Sequence, residues 1–347
     1  MKSLSRDIIQ VLCKFMDFDG LCNMLFVNKH INNITNIFYS NFKSYIENHK
    51  YKNLLYEDAV KYEQCKLINF LTHLKANYCN NGLNMAASLN NKKMVDYMIS
   101  KGANEFDEAM GYAAGNNNMD IVQYMISKGA NDWDIAMCYA AKNNHMNMVR
   151  FMVSKGTTRY NVAMECAAKN NHMEMVEYMI SKGANHWDYS LSDAAAGNHM
   201  DMVEFMISKG ADKKNNNALT LAAGNNHFNM VDFLILNGAN NWNYAMAHAA
   251  RNNHMNMVQY IISKGANDFN MAMAYAAKNN HMNMVKFMIS KGAYDFNYAM
   301  INAASCNHMV MVDFLISKGA NVFNLAITHA ASNNHTDMIN YLNRYVC

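Results

Sequence analysis

Eight histidines recur once per period of the sequence, and a series of imidazole ligands is one way in which proteins bind zinc. They are His145, His172, His199, His227, His254, His281, His308 and His335. A Zn–N bond measures about 2.0–2.1 Å, so the ligands of one metal nearly touch. Residues one helical repeat apart lie roughly 10 Å apart. The spacing therefore predicts no metal site, and we expect each imidazole to hydrogen-bond a turn of its own or the adjoining repeat.

A second periodic series is cationic and could form a basic stripe for nucleic acid or lipid headgroups. It consists of Lys101, Lys128, Lys155, Lys182, Lys209, Lys264, Lys291 and Lys318. Each lysine precedes a glycine where a helix is expected to end, and cations are favourable at helix C-termini. The net charge is only +3 over 347 residues. We expect no nucleic-acid or membrane partner. No glycine-rich phosphate loop, nucleophile elbow or repeated carboxylate pair occurs, so we expect no catalytic site and no cofactor.

Both series follow a 27-residue period, which is marked by glycine. The glycines are Gly102, Gly129, Gly156, Gly183, Gly210, Gly238, Gly265, Gly292 and Gly319, and one spacing of 28 separates Gly210 from Gly238. A fixed period of this length predicts a solenoid of stacked units. We number positions within a unit from its glycine, so that Gly265 is position 1, His281 is position 17 and Lys291 is position 27.

Each unit reads as two helices joined by a short turn. In the unit that begins at Gly265, Ala276 and Ala277 are small and favour helix. Residues 279–281 then tolerate left-handed and capping geometry. Apolar residues at positions 20, 21, 24 and 25 predict an amphipathic second helix, which a lysine and a glycine end. Methionines at positions 9, 18, 20 and 24 are expected in the core. Position 6 is expected to be the N-cap of the first helix, as at Asp107, Asp134, Asn243 and Asn270.

The segment AMAYAAKNNHMNMVKFMISKGAN, with its alanine pair, asparagine–histidine turn and closing glycine, resembles the ankyrin repeat. The resemblance covers roughly residues 76–347 and implies an all-α, ankyrin-type solenoid of stacked antiparallel helix pairs, about ten in number. The unit lacks the usual threonine–proline start and is about six residues shorter than the usual 33. The missing residues are those that build the projecting hairpin, so we expect little or no β structure. Such methionine- and asparagine-rich short units are similar to those of ankyrin proteins of giant DNA viruses.

Residues 1–45 do not follow the period. They predict three short helices and resemble an F-box, the helical motif that docks on the Skp adaptor of cullin-RING ubiquitin ligases. The resemblance implies partner-binding roles for Leu4, Ile8, Ile9, Leu12, Phe15, Leu21 and Val27. The alternative is a plain helical cap on the first unit. Residues 46–75 are interpreted as a degenerate capping repeat, in which charged residues such as Glu57 and Lys61 replace the small residues of the first helix.

Positions 7, 10, 11 and 14 vary between otherwise similar units, and we expect them on the exposed side of the first helix. In ankyrin arrays that side lines the concave face. Tyrosines interleaved with cations are typical of protein-binding surfaces. The candidate residues are Tyr112, Tyr139, Lys142, Tyr189, Tyr244, Arg251, Tyr275, Lys278 and Tyr298. Neutral drift at exposed positions would also give such variation.

These patterns favour a non-enzymatic interaction protein. The F-box-like motif predicts a substrate adaptor for a cullin-RING ubiquitin ligase, with Skp and cullin subunits as partners and a client protein on the repeats. The alternative is an ankyrin scaffold or decoy that binds a host protein without any ligase link. The eight cysteines neither form C-x-x-C pairs nor follow the period. They indicate reduced thiols and an intracellular protein, cytoplasmic or nuclear, which we expect to be a monomer.

Overall fold

The computed structural model describes residues 56–57, 59–63, 65, 68–69 and 78–346. Within these residues all regular structure is helical, with ten helix pairs followed by one 3₁₀ turn and no β-strand. The expected all-α stack of helix pairs with short turns is therefore confirmed. The chain divides into two compact units, one up to Ala163 and one from Met164 onward.

The helices are numbered in chain order, and each odd-numbered helix is the first of its pair. They are α1 Cys79–Ser88, α2 Lys92–Ser100, α3 Phe106–Gly115, α4 Met119–Ser127, α5 Trp133–Lys142, α6 Met146–Ser154, α7 Tyr160–Lys169, α8 Met173–Ser181, α9 Trp187–Ala196, α10 Met200–Lys209, α11 Asn216–Gly224, α12 Phe228–Leu236, α13 Trp242–Arg251, α14 Met255–Ser263, α15 Phe269–Lys278, α16 Met282–Ser290, α17 Phe296–Ala304, α18 Met309–Ser317, α19 Phe323–Ser332 and α20 Thr336–Leu342, with a 3₁₀ turn at Asn343–Tyr345.

Both helices of a pair end in the same backbone motif, which explains the invariant turn residues. After α15, Asn280 has a φ of 62°, and the amide of His281 donates to the carbonyl of Ala276 at 3.0 Å. After α16, Gly292 has a φ of 107°, and the amide of Ala293 donates to Met288 at 3.0 Å. These are the bonds of a Schellman cap, and asparagine and glycine are the residues that best tolerate its left-handed position. The expected left-handed turn is thus confirmed.

Alanine and methionine fill the interior between the helices. Ala276 and Ala277 are fully buried, as are the position-9 methionine Met273 and the position-20 and position-24 methionines Met284 and Met288. Three of the four methionine rows are therefore core, as expected. The fourth prediction is wrong, because position-18 methionines such as Met282 are only half-buried. Position 18 is the first residue of the second helix, where it lies at the rim of the stack rather than between helices.

The prediction that position 6 caps the first helix is wrong. The helix begins one residue earlier, at the aromatic position 5, and position 4 supplies the cap; for example, Asp268 Oδ1 accepts from the amide of Met271 at 3.0 Å. Position 6 instead reaches the next repeat. Asn243 Oδ1 accepts from the amides of Asn267 at 2.8 Å and Asp268 at 3.0 Å. This side chain satisfies backbone donors of the shortened link, which has no hairpin to pair them.

The one longer repeat differs at the turn, as its extra residue predicts. Asn215 caps α11, because its side-chain oxygen accepts from the backbone amide of Ala218. The backbone amide of Asn215 donates to the carbonyl oxygen of Asp212 at 3.1 Å. Lys214 takes the place of the aromatic residue. A Cβ built on Gly238 would meet the Lys214 side chain at 3.3 Å, just as one on Gly265 would meet the Trp242 ring at 2.9 Å. The lysine stem therefore covers Gly238 as the Trp242 ring covers Gly265, whereas a Cβ on the other seven repeat glycines would meet nothing within 4 Å.

Candidate partner-binding face

The exposed side chains at positions 7, 11 and 14 of the odd-numbered helices are called here the helix-1 face. Consecutive odd-numbered helices pack against each other within each compact unit, which aligns these positions in rows. Position 10 was expected on the same face, but it is buried at Gly111, Ser192, Ala247 and Ala274. A Cβ on Gly111 would meet Ile135 Cγ2 at 2.8 Å. At these buried sites the residue type is therefore determined by packing against the next helix and not by contact with a partner.

In the first compact unit, the helix-1 face brings Tyr112 and Tyr139 together. Their ring centroids are 5.3 Å apart and both rings are half-buried. Burial, with Tyr112 close by, raises the pKa of the Tyr139 hydroxyl above its ordinary value. Ile135, at position 7, and Lys142, at position 14, are exposed on the same helix α5. The Tyr139 ring therefore contacts the Tyr112 ring and is less exposed than the sequence predicts.

At the start of the second compact unit, Asp193 places a carboxylate on the helix-1 face at position 11, and Glu165 places another beside it at position 10. Lys169 Nζ lies 3.7 Å from Asp193 Oδ1, and His186 Nδ1 lies 3.1 Å from Glu165 Oε1. Burial raises the pKa values of both Glu165 and Asp193, and these partners only partly oppose the shift. Tyr189 is 63% exposed beside this group, with its ring 5.5 Å from that of His186. This end of the face is acidic and presents one aromatic side chain to solvent.

Further along the second unit, position 7 presents a row of exposed apolar side chains. Tyr244 is 46% exposed, Tyr298 is 44% exposed and Leu325 is 48% exposed. Met271, at the same position of the repeat between the two tyrosines, is half-buried. Clusters of exposed apolar side chains are a mark of interaction sites. Tyr244 and Tyr298 therefore have the exposure that a binding role requires.

Tyr275 does not have that exposure, and its expected place on an open surface needs correction. Its ring is half-buried, with its centroid 5.7 Å from the ring of His248 in the preceding repeat. Burial, followed by the charge of Arg251, lowers the pKa of His248, so this imidazole is neutral at pH 7. Position 11 therefore brings two rings of successive repeats together in a tilted arrangement here, as it does at Tyr112 and Tyr139. It forms the floor of the helix-1 face, whereas position 7 forms its exposed rim.

Arg251 and Lys278 complete the face at position 14. Both side chains are exposed. Among the described residues, no carboxylate lies within salt-bridge distance of either cation. Their backbone carbonyls, by contrast, are occupied, because the Nε2 atoms of His281 and His308 lie 3.0 Å from them. The cationic side chains remain free to meet an anionic group of a partner.

The histidine row is structural in the way that the sequence predicts. Nε2 contacts the carbonyl oxygen of position 14 in the preceding repeat at 3.0–3.1 Å in His145, His199, His227, His281, His308 and His335. A carbonyl can only accept, so Nε2 carries the proton. Among the described residues, no three His, Cys, Asp or Glu side chains converge as metal ligands would. The predicted hydrogen bond to an adjoining repeat is confirmed.

The lysine row is also engaged within the protein. Lys264 Nζ lies 4.8 Å from the centroid of the Tyr260 ring, and Lys291 Nζ lies 5.3 Å from that of Phe287. The same contact with the aromatic residue four positions earlier occurs at Lys101, Lys128, Lys155, Lys182, Lys209 and Lys318. These ammonium groups lie over rings of the even-numbered helices. They are therefore not part of the helix-1 face.

Two other expectations concern the chain as a whole. Cys65, Cys79, Cys138, Cys166 and Cys306 are free thiols. In the part of the chain that the structure describes, no helix is long and apolar enough to cross a membrane. The F-box-like residues Leu4, Ile8, Ile9, Leu12, Phe15, Leu21 and Val27 lie outside the described residues, as does most of the 46–75 segment.

Sequence reasoning selected the tyrosines of the face but missed its aliphatic members. Ile135 and Leu325 occupy position 7 and are exposed, as are the tyrosines of that row. The signal was present, because position 7 is apolar or aromatic in most repeats. The aliphatic residues were missed because only tyrosines and cations were selected as candidates. The acidic pair Glu165 and Asp193 was missed for another reason, since the two residues occupy different positions, 10 and 11, of successive repeats.

The family model described as Ankyrin repeats (3 copies) matches residues 110–190, 187–244, 235–298 and 273–345. These segments overlap and together span residues 110–345, which is more than half of the chain. A comparison with curated proteins gave no significant match. Ankyrin repeats are protein–protein interaction modules that generally have no enzymatic activity. The stacked helix pairs, the Schellman-capped turns and this match together show that the chain belongs to the ankyrin-repeat family.

Proposed function

We propose that this protein is a substrate adaptor of a cullin-RING ubiquitin ligase, in which the helix-1 face holds the client protein. The observation that carries the client-binding half is the exposed row at position 7, where Tyr244, Tyr298 and Leu325 present apolar surface on the same face that carries the cations Arg251 and Lys278. Tyrosine and arginine are enriched among the residues that dominate binding energy. The proposed role is non-enzymatic, in keeping with ankyrin repeats, which generally act as protein–protein interaction modules.

The ligase half of the proposal is supported by the sequence of residues 1–45. The apolar residues Ile8, Ile9, Leu12 and Phe15 recur on one side of an expected helix and resemble the Skp-docking side of an F-box. In this proposal, residues 1–45 form the docking domain, residues 46–75 form a capping repeat and residues 76–347 form the client-binding array. The similarity of the short unit to giant-virus ankyrin proteins makes a host protein the expected client.

A second candidate is an ankyrin scaffold or decoy with no link to ubiquitin. It is favoured by the extent of the family match, which covers the repeats and not residues 1–45. In that case the helix-1 face would bind and sequester its partner, and residues 1–45 would serve only to cover the first repeat. The two candidates share the binding face and differ in the N-terminal partner.

One experiment separates the two candidates. The full chain, an Ile9→Asp/Leu12→Asp variant and a Tyr244→Ala/Tyr298→Ala variant are expressed in cells and purified by an affinity tag. Co-purifying proteins are quantified by mass spectrometry. The adaptor proposal predicts that Skp and cullin are lost only from the first variant, because charge buried at an apolar interface is costly. It predicts that the client is lost only from the second variant.

Other outcomes decide against the adaptor. Equal recovery of Skp and cullin with the full chain and with Ile9→Asp/Leu12→Asp, or no recovery with either, leaves the scaffold as the account of function. Equal recovery of every associated protein with the Tyr244→Ala/Tyr298→Ala variant contradicts both candidates, since both place the client on the helix-1 face. The Tyr294→Ala variant is the matched control, because Tyr294 is 76% exposed but lies at position 3, outside that face.

A further inference from the structure

The four last odd-numbered helices, α13, α15, α17 and α19, contain no aspartate or glutamate. The odd-numbered helices α3, α5, α7 and α9 differ, since each contains at least one carboxylate, whereas α1 and α11 contain none. Residues 242–332 contain six lysines and arginines but only three aspartates, so this stretch carries a net charge of +3. The chain as a whole also carries +3. The positive charge of the protein is therefore concentrated in this stretch.

The three aspartates of this stretch do not offset the cations of the helix-1 face. Asp268 and Asp295 cap α15 and α17 by accepting from backbone amides at 3.0 Å. They lie at the N-terminal ends of these helices, whereas Arg251 and Lys278 lie at the C-terminal ends of α13 and α15. Asp313 lies on α18, where the Tyr341 hydroxyl donates to it at 2.7 Å. No carboxylate of this stretch neutralises the position-14 cations.

Four of the six cations contact aromatic rings outside the helix-1 face. Lys264, Lys291 and Lys318 lie over rings of their own even-numbered helices, and Lys286 Nζ lies 5.6 Å from the centroid of the Phe314 ring. That leaves Arg251 and Lys278 as the cations of this part of the helix-1 face. They occupy the same position of consecutive repeats, on the same side of the helices as the apolar row of Tyr244, Tyr298 and Leu325 but seven residues, roughly 10 Å, nearer the helix C-termini.

From this juxtaposition we infer that residues 244–325 of the helix-1 face bind an extended acidic segment of the client protein, with apolar residues about every third position. The inference rests on the proposed client-binding function. Neighbouring helices of the stack lie roughly 10 Å apart. A chain in the polyproline-II conformation advances about 3.1 Å per residue with three residues per turn, so every third side chain faces the array about once per repeat. Apolar side chains of such a segment would meet position 7, and the carboxylates between them would meet Arg251 and Lys278.

The carboxylates at the start of the second unit indicate which part of the helix-1 face binds the acidic segment. Glu165 and Asp193 would repel an acidic segment, and their carboxylates lie two or more repeats before α13. Like charges at an interface disfavour a wrong alignment. The client segment should therefore lie over α13–α19 rather than over α9. A protein segment is favoured over a nucleic acid, because position 7 is apolar in all four of these repeats while this stretch of the helix-1 face has only two cations.

The test uses the full chain and fluorescein-labelled 12-residue peptides, with binding measured by fluorescence anisotropy. The acidic probe repeats Leu-Asp-Glu four times. Its controls are a basic probe repeating Leu-Lys-Arg, a probe with the acidic composition but the four leucines adjacent, and a 12-nucleotide oligothymidylate. We expect saturable binding of the acidic probe, at least about tenfold tighter than of each control, because only this probe combines carboxylates for Arg251 and Lys278 with leucines spaced for the position-7 row.

Two charge-matched variants locate the site. Arg251→Gln/Lys278→Gln should weaken binding of the acidic probe at least about tenfold, whereas Lys264→Gln/Lys291→Gln, which removes the same charge from the even-numbered helices, should change it less than about threefold. No binding of the acidic probe, equal loss in both variants, or tighter binding of the basic probe or the oligonucleotide would overturn the inference. If the inference fails in this way, capture of a client in cells that depends on Tyr244 and Tyr298 would still support the proposed function. Failure of the inference is therefore distinguishable from failure of the proposed function.

Discussion

The Nε2 atom of His281 lies 3.0 Å from the carbonyl oxygen of Arg251. This bond joins the residue that precedes α16 to the last residue of α13, in the preceding repeat. It satisfies a carbonyl that would otherwise be left without a partner at the helix end. It also fixes the backbone from which the Arg251 side chain projects onto the helix-1 face. A structural histidine row thereby positions part of the proposed binding surface.

Removing this imidazole should destabilise the array. His281→Ala should lower the free energy of unfolding by about 1 kcal/mol, the usual contribution of one such hydrogen bond. His329→Ala is the matched control, since His329 is exposed at position 11 of α19. Chemical denaturation checks both variants.

Stoichiometric Zn²⁺ should leave the melting curve of the unaltered chain unchanged. Uptake of one tightly bound metal per repeat would contradict the structural role of the histidine row.

Overpacking the alanine layer should also destabilise the protein. Ala276 is fully buried between helices, so Ala276→Leu should lower the free energy of unfolding by about 1–3 kcal/mol. Ala331→Leu provides a control, because Ala331 is an exposed alanine of α19. A melting temperature unchanged by Ala276→Leu would show that the alanine pair does not lie at a helix–helix contact.

The position-6 side chain should stabilise the link between repeats. Asn243→Ala leaves the amides of Asn267 and Asp268 without the acceptor that they share, and we expect a loss of about 1–3 kcal/mol. In Asn324→Ala the same position is changed in the last described repeat, where the side chain is exposed, and little loss is expected. Denaturation midpoints compare the two. If Asn324→Ala proved as costly as Asn243→Ala, the inter-repeat bond could not be the cause.

The half-buried carboxylate of Asp193 should make stability depend on pH. Burial raises its pKa in the folded protein, so the folded state binds a proton more readily than the unfolded state. The fold therefore loses stability as the pH rises from the ordinary aspartate range through the raised pKa. Asp193→Asn should raise the melting temperature at pH 7, with the gain vanishing below about pH 3.9. Asp201→Asn, which removes an exposed carboxylate from α10, should give no such gain.

The sequence allowed the repeat architecture to be predicted in detail, because its determinants are local. The glycine and asparagine at the two helix ends, the alanine pair and most methionine rows depend on their own helix and its period. The features that were missed depend on the neighbouring repeat. Asn243 could not be assigned to the amide of Asn267 from its own helix alone. The half-burial of Tyr275 likewise follows from stacking on His248, which the composition of one repeat does not show.

The central claim is that the helix-1 face binds a client protein through its exposed position-7 row. The most direct measurement is calorimetric titration of the client recovered from cells into the purified full chain and two variants. Tyr244→Ala/Tyr298→Ala should weaken binding at least about tenfold with little change in melting temperature, because both rings are exposed anchors. Tyr294→Ala should bind as the unaltered chain does. Undiminished affinity of the double variant, or an equal loss in Tyr294→Ala, would contradict the claim.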